Sequence, residues 1–403
     1  MNNVLTHSCQ PPSEPASARW LLRLLAQLKC GSIELTCPDG RKLSFNGERA
    51  GPHATLVLKD WQVCGDLLRR GDIGLAEAYI AGRAESADLM QLLLLGALNE
   101  EAVEQAIHGR WWATRAYRLR HLLRPNSRRG SRRNIEAHYD LGNDFYNLWL
   151  DPSMTYSSAL FEGDLTRSLA DAQAAKYARI LRVLDARPGS HILEVGCGWG
   201  GFAEFAARAG CRVTGITISP SQLEYARRRI AAAGLQDRVD LQLVDYRDLD
   251  GQYDHVVSIE MFEAVGERYW PGYFATLHDR LRPGGRAVVQ SITIAENKFE
   301  RYRAGTDFIQ QYIFPGGMLP SPGRFRSVAA AAGLAVDGMY DFGLDYAETL
   351  RRWHVQFNAA AQLVQHQGFD DRFMRTWQFY LAYCEAGFRA RATGVVQAVL
   401  THA

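Results

Sequence analysis

Apolar residues along this chain follow two kinds of spacing. Between Ile33 and Val63 they alternate with polar ones, in "SIELTCPDGRKLSFNG" and "ATLVLKDWQV", which predicts strands with Pro38-Asp39-Gly40 as a turn. From Asp72 to Leu98, "DIGLAEAYIAGRAESADLMQLLLLGAL" has helical spacing, with Gly82 as an interruption or cap. Farther on come five short apolar runs, "HILEV", "RVTGITI", "RVDLQLV", "YDHVVSI" and "RAVVQSI", each followed by a connection or a helix-like segment. That alternation predicts a mostly parallel sheet with helices on both faces, a Rossmann-like α/β fold. "YAETLRRWHVQFNAAAQLV" and "FMRTWQFYLAYCEAGFRA" carry the period of long amphipathic helices, and "GVVQAVL" supplies a last edge strand.

Length and composition refine this picture. With 403 residues, 47% hydrophobic and 22% charged, the chain is an ordinary globular protein of two domains. The expected division is an N-terminal α+β domain over residues 1–125 and a catalytic domain over 126–403. A net charge of +2 gives no global field toward nucleic acid. Locally, Arg110 to Arg133 holds nine arginines and no acid, interleaved with Trp111, Trp112 and Tyr117, so docking on an anionic membrane and a solvated linker both fit. The seven cysteines form no CxxC pair and no metal-ligand spacing, which argues for reduced thiols in the cytoplasm, no zinc or other metal, and no disulfides. Met1 to Pro12 lacks a secretory pattern, and the apolar run Leu92 to Leu98 is far shorter than the roughly 20 residues of a bilayer span. A soluble or peripheral protein is expected.

The chemistry concentrates in "ILEVGCGWGGFAEFAA", where Gly196, Gly198, Gly200 and Gly201 follow an apolar strand and open a helix. Open α/β sheets bind ligands at this place, and glycines let a ligand approach the main chain. The glycine count alone also fits a dinucleotide pyrophosphate or tight helix packing. Two details point to S-adenosylmethionine. Glu194 puts a carboxylate inside the strand just before the loop, where hydride-transfer folds are usually apolar. After the second strand, "GITISPSQLEYARRR" lacks the acid that a dinucleotide ribose would want. Ser219, Pro220 and Gln222 there read as a capping box, with Thr217 and Gln222 as candidates for ribose hydroxyls. In "LVDYRD", Asp245 and Tyr246 are candidates for the adenine amino group and face, against an ordinary polar loop.

Together with these residues, "HYDLGNDFYNLWLDPSMTYSSALFE", "MFEAVGERYWPGYF", "QQYIFPGGMLPS" and "FYLAYCEAGFRAR" resemble the cyclopropane fatty-acyl-phospholipid synthases and the mycolic acid and fatty-acid methyltransferases. The resemblance covers the catalytic domain almost entirely; the N-terminal region is more loosely similar to the small domain of the phospholipid-acting members. It implies a class I S-adenosylmethionine-dependent methyltransferase acting on unsaturated phospholipid acyl chains at the inner face of the cytoplasmic membrane, and leaves a homodimer open. Tyr156 and Ser157 join the donor site on this resemblance.

An isolated cis alkene is a poor nucleophile, so the reaction needs a sulfonium methyl donor held in line with it. Methyl transfer leaves a carbocation, which aromatic faces stabilise. Tyr139, Phe145, Tyr156, Phe262, Tyr269, Trp270, Tyr312, Phe314 and Tyr346 are the candidates. A base must then remove a proton. The resemblance implies a bicarbonate ion for this, held by a glutamate, a histidine, a tyrosine and the main chain near a cysteine. Glu263 and Tyr346 match two of these positions, whereas Ser158 stands at the cysteine position and Gln290 at the histidine position. His138 reads as structural and Glu260 is left without a role. The substitutions open a second outcome beside ring closure, a methyl-branched or methylene chain. A non-catalytic lipid-binding protein is the reading from another class, and a nicotinamide-dependent reductase is disfavoured by the missing ribose acid.

Overall fold

The computed structural model describes residues 14–100 and 141–403, which fall into two compact units. The expected boundary at 125/126, the arginine-rich segment, His138 and Tyr139 lie outside the described residues. The first unit carries a four-stranded sheet of order β2-β1-β3-β4, with β1 Cys30–Thr36, β2 Lys42–Asn46, β3 Arg49–Leu58 and β4 Ala84–Glu85. The alternation seen in sequence buries Ile33 and Leu35 on one face of β1. The β1–β2 turn is closed by the Gly40 N–H on the Cys37 carbonyl at 2.9 Å, with Gly40 at φ +85°. The helical run from Asp72 is not one helix. It stops at Ile80, Gly82 turns the chain at φ +71°, and Ala84–Glu85 pairs with Leu58 and Val57 before a new helix, Leu89–Leu98, starts. Asp88 caps that start by accepting the Gln91 N–H at 3.1 Å.

The second unit is built on a seven-stranded sheet of order β10-β11-β9-β8-β5-β6-β7. Its strands are β5 His191–Val195, β6 Arg212–Thr217, β7 Val239–Leu243, β8 Tyr253–Ile259, β9 Leu281–Ile294, β10 Leu334–Asp341 and β11 Thr393–His402. β7, β6, β5, β8 and β9 run parallel, and β11 is antiparallel to both β9 and β10. "GVVQAVL" is therefore not an edge strand, since β11 sits between β9 and β10. Its consecutive buried residues Val395 and Val396 are those of a strand covered on both faces. The edge is β10, whose mostly half-exposed side chains gave no alternating signal.

Each face of the sheet has its own core. Ile192 of β5 packs with Ile180, Phe202, Ala206 and Ile230 from the helices Leu169–Leu184, Gly201–Arg208 and Pro220–Ala232. Its neighbours Leu193 and Val195 join Trp270, Phe274 and Leu277 of the helix Trp270–Arg280, with Phe325 of Pro322–Ala331, on the other side. Burial on both faces explains why "HILEV" is apolar without alternation. It also places the sheet's switch of direction between β5 and β8, so a crevice opens beyond their carboxyl ends.

Candidate active site

The loop after β5 is pinned by two main-chain bonds, from the Gly196 and Cys197 N–H groups to the Ile216 carbonyl at 3.0 and 2.8 Å. Its glycines are needed for different reasons. A Cβ on Gly196 would meet Met261 Cγ at 2.9 Å, and one on Gly200 would meet Ala226 Cβ at 3.1 Å. Gly200 thus packs one helix on another and does not line the cavity. A Cβ on Gly198 would meet nothing within 4 Å, although this residue borders the cavity at φ +51°. Room for a ligand begins there.

Around that room stand the other sequence candidates, brought together by the ends of four parallel strands. Tyr156, Ser157, Glu194, Thr217, Gln222, Asp245 and Tyr246 all border one cavity, as do Glu263 and Tyr346. Glu194 is 3% exposed and its Oε2 has no hydrogen-bond partner. Burial pushes its carboxyl well above the usual range, with Arg229 and Lys176 opposing. A buried, unpartnered oxygen at a cavity wall fits a ligand that brings a donor or a positive charge. Of the expected capping box only half forms: Ser219 Oγ accepts the Gln222 N–H at 3.3 Å, but the Gln222 Oε1 instead accepts from Thr217 Oγ1 at 3.3 Å. Asp245 is gripped by Arg247 through Nε at 2.8 Å and a terminal nitrogen at 2.6 Å.

The segment 155–162 crosses the other end of the cavity and is tied down from both sides. Gln173 Nε2 donates to the Ser157 carbonyl at 2.9 Å and Lys176 Nζ to Ser157 Oγ at 2.6 Å. Thr349 Oγ1 accepts the Ala159 N–H at 3.1 Å, and Asp345 accepts the Phe161 and Glu162 N–H groups at 2.7 and 3.1 Å. This leaves the Ser158 N–H pointing at a carboxylate that the sequence reading had passed over. Glu260 Oε1 accepts from Ser158 N and from Gln290 Nε2, each at 2.8 Å, while Oε2 accepts from the Tyr346 hydroxyl at 2.7 Å. The Ser158 hydroxyl turns away and donates to the Ala159 carbonyl at 3.0 Å. Neither Ser158 nor Gln290 borders the cavity; Glu260 does.

Gln290 is itself oriented. Its Oε1 accepts from Gln397 Nε2 at 3.0 Å, and Gln397 Oε1 accepts from Arg179 at 2.6 Å, so the Gln290 NH₂ is left to face Glu260. Glu263 lies apart from this network: one oxygen accepts the Ile292 N–H and the other has no hydrogen-bond partner. Burial first, and the Glu260 charge second, push its carboxyl up to about 8. Burial also raises Glu260, against the pull of Lys176 and its three donors. Lys176, fully buried, is pushed down to about 7 by burial. A polar signal for it existed: Gln173 and Lys176 occupy core positions in the run Leu169, Ala172, Gln173, Lys176, Tyr177, Ile180.

Among the aromatic candidates, Tyr156, Phe314 and Tyr346 line the cavity, whereas Phe145, Phe262, Tyr269, Trp270 and Tyr312 do not. Phe145, Phe262 and Trp270 are fully buried core. Sequence reasoning missed Tyr380, Tyr383 and Phe388, which line it together with Cys384 from one side of the helix Asp371–Arg389. Their i, i+3, i+4, i+8 spacing was the available signal. Tyr380 and Tyr156 share a hydroxyl–hydroxyl hydrogen bond of 2.6 Å, and Phe388 packs on Tyr346 with ring centroids 4.5 Å apart.

A mostly parallel sheet of this order, with a glycine loop and a buried strand-end carboxylate at a cavity over its switch point, defines a class I S-adenosylmethionine-dependent methyltransferase. Residues 126–398 match the family described as mycolic acid cyclopropane synthetase, and the chain belongs to that family, whose members act on lipid acyl chains. Tuberculostearic acid methyltransferase UfaA1 of Mycobacterium tuberculosis is 42% identical over 82% of this chain and 78% of its own. The cyclopropane-fatty-acyl-phospholipid synthase of Escherichia coli is 34% identical over 83% of this chain and 84% of its own. Among solved structures, mycolic acid cyclopropane synthase CmaA1 complexed with SAH and CTAB superposes with a TM-score of 0.63 at 31% identity, covering 67% of this chain and 97% of that one.

Proposed function

We propose that this enzyme transfers the methyl group of S-adenosylmethionine to the cis double bond of an unsaturated acyl chain carried by a membrane phospholipid. The observation that carries the reading is that the glycine loop, Glu260 and the aromatic wall of Tyr156, Tyr346, Tyr380 and Phe388 all border one cavity. When bound, the donor supplies an electrophilic methyl on a sulfonium. Glu194 and the open face of Gly198 would hold its charged end, Thr217 and Gln222 its ribose, and Asp245 and Tyr246 its adenine. The tyrosine and phenylalanine faces stabilise the cation left on the chain, at roughly 0.5 to 2 kcal/mol each. Tyr156 and Tyr346 also spend their hydroxyls on Tyr380 and Glu260, which fixes the angle of each ring.

Loss of a proton from the new methyl closes a three-membered ring, and loss from the chain leaves a methyl-branched alkene; a methylene branch follows when a chain hydride first shifts to the cationic carbon and the methyl then loses the proton. Ring closure is supported by likeness to the Escherichia coli synthase; the open product is supported by the 42% identity to a relative named a methyltransferase. Donor labelled with ¹³C in its methyl group and vesicles of a cis-unsaturated phospholipid test the proposal. Labelled lipid is expected, with either upfield cyclopropane or vinylic proton signals, and absence of labelled lipid overturns it.

No helix among the described residues is long and apolar enough to cross a membrane. Contact with phospholipid at the inner face of the cytoplasmic membrane would then come from surface binding, for which the nine arginines of Arg110 to Arg133 are the sequence candidates, at about 1 kcal/mol per basic side chain. Reversal of Arg128, Arg129, Arg132 and Arg133 to Glu should release the protein from sedimenting anionic vesicles. Binding that ignores both this change and added salt defeats the idea.

A further inference from the structure

We infer that Glu260 is itself the base of the reaction, filling with a side-chain carboxylate the seat that relatives' chemistry implies for a bicarbonate ion. Three of the four positions expected to hold that ion converge instead on Glu260: the Ser158 N–H and Gln290 on Oε1 and the Tyr346 hydroxyl on Oε2. A carboxylate offers about four acceptor sites, so three donors leave one for a proton. All three are donors, and hydrogen bonds of this kind are strongest to the anion, so they favour a carboxylate poised to take a proton. A bicarbonate added here would bring a second negative charge against a half-buried carboxylate, which partly desolvated surroundings oppose. The residues therefore do not fit the ion.

A second observation is independent of these bonds. Glu260 follows β8 with φ +49°, the left-handed region that favours glycine. A glutamate held in that conformation, half-buried and bordering the cavity, is backbone strain kept at a functional position. The positive charge of Lys176, buried in the same region and among the causes that pull Glu260 back down, offsets the carboxylate's charge.

The inference rests on methyl transfer to an alkene as proposed above. The π pair of the alkene forms the new C–CH₃ bond as the donor's S–CH₃ bond breaks, leaving the neighbouring carbon positive. A C–H bond of the new methyl breaks and its electron pair makes the ring C–C bond, or a C–H bond on a chain carbon beside the cation breaks and its pair makes a C=C bond; in either case the proton goes to a Glu260 oxygen. Once product has left, the proton passes to water.

Wild type, Glu260→Gly and Glu260→Gln decide the matter. Glycine suits the backbone and empties the seat, whereas glutamine fills the seat without a base. Wild type should keep its full rate in CO₂-depleted buffer and show no calorimetric binding of bicarbonate. Glu260→Gly should bind S-adenosylhomocysteine as wild type does, lose about 10²- to 10⁴-fold in kcat, bind bicarbonate, and recover rate as bicarbonate or formate is added. Glu260→Gln should be as slow and gain nothing from either anion. Bicarbonate binding by wild type, or a wild-type rate in Glu260→Gln, overturns the inference. The bicarbonate titration needs no lipid, so a wild type that turns over no unsaturated phospholipid overturns the proposed function while the seat is still decided.

Discussion

The Tyr346 hydroxyl donates to Glu260 Oε2 at 2.7 Å, joining the helix Gly343–Ala359 to the end of β8. A hydrogen bond to a charged group is worth about 1.5 to 3 kcal/mol. Tyr346→Phe should therefore lower kcat by roughly 10- to 150-fold while the KM for donor stays unchanged. Removing a donor raises the carboxyl pKa, so the acid limb of the kcat–pH profile should move to higher pH. An unmoved limb would show that Tyr346 only packs.

Gln397 acts one bond farther back, as a positioning residue. Gln397→Leu removes the donor that fixes the Gln290 amide and leaves the Gln290 Oε1 and Arg179 without their partner. Buried groups left unmade cost about 1 to 3 kcal/mol of stability. Chemical denaturation should show that loss. A fall in kcat of about tenfold, again without change in donor KM, is the part that packing alone would not produce.

Glu263 provides a pH signature. Its folded pKa of about 8 lies above the 4.5 of an ordinary glutamate, so its contribution to stability is complete below 4.5 and is lost as pH rises through 8. Wild-type stability should fall across that window, by up to several kcal/mol from this group. Glu263→Gln, which keeps an acceptor for the Ile292 N–H, should flatten the decline in thermal melts between pH 5 and 8. Parallel curves for the two proteins would refute the assignment.

At the donor end, Gly198→Val puts a branched side chain into the open space beside the loop at a strained φ. Donor affinity by calorimetry should drop at least tenfold. Gly189→Val is the control, because Gly189 has φ +92°, equally open surroundings and no place in the cavity wall. It should cost similar stability, on the order of 1 kcal/mol, and no affinity. Equal affinity loss in both variants would trace the effect to the fold.

The expected β-rich start, the five parallel strands and the C-terminal helices were legible in the chain because each is a local pattern, although the first of those helices ends at Ala359 and a short one, Ala361–His366, follows it. So was the glycine loop at the cavity, where glycines stand against an apolar strand and Glu194 breaks its run. "GVVQAVL" was legible as a strand but not as an inner one, since sheet order is set by partners far away. Ser158 was legible as a position and misleading as a side chain: its main-chain N–H reaches the site and its hydroxyl does not.

What the sequence alone determined is which residues could form strands, helices and a ligand loop, because alternation, helical period and turn chemistry act over a few residues. Only the tertiary structure decided which carboxyl group the donors of the site converge on. The β8–β9 register sets Ile259 opposite Gln290, which carries Gln290 alongside Glu260, and the β9–β11 register sets Gln290 opposite Gln397. The helix Gly343–Ala359 then delivers Tyr346, and the tied-down 155–162 segment delivers the Ser158 N–H. Glu260 has no local signal that separates it from Glu263. Its role follows from hydrogen bonds between segments far apart in the chain, which come together only when strand order and register are fixed.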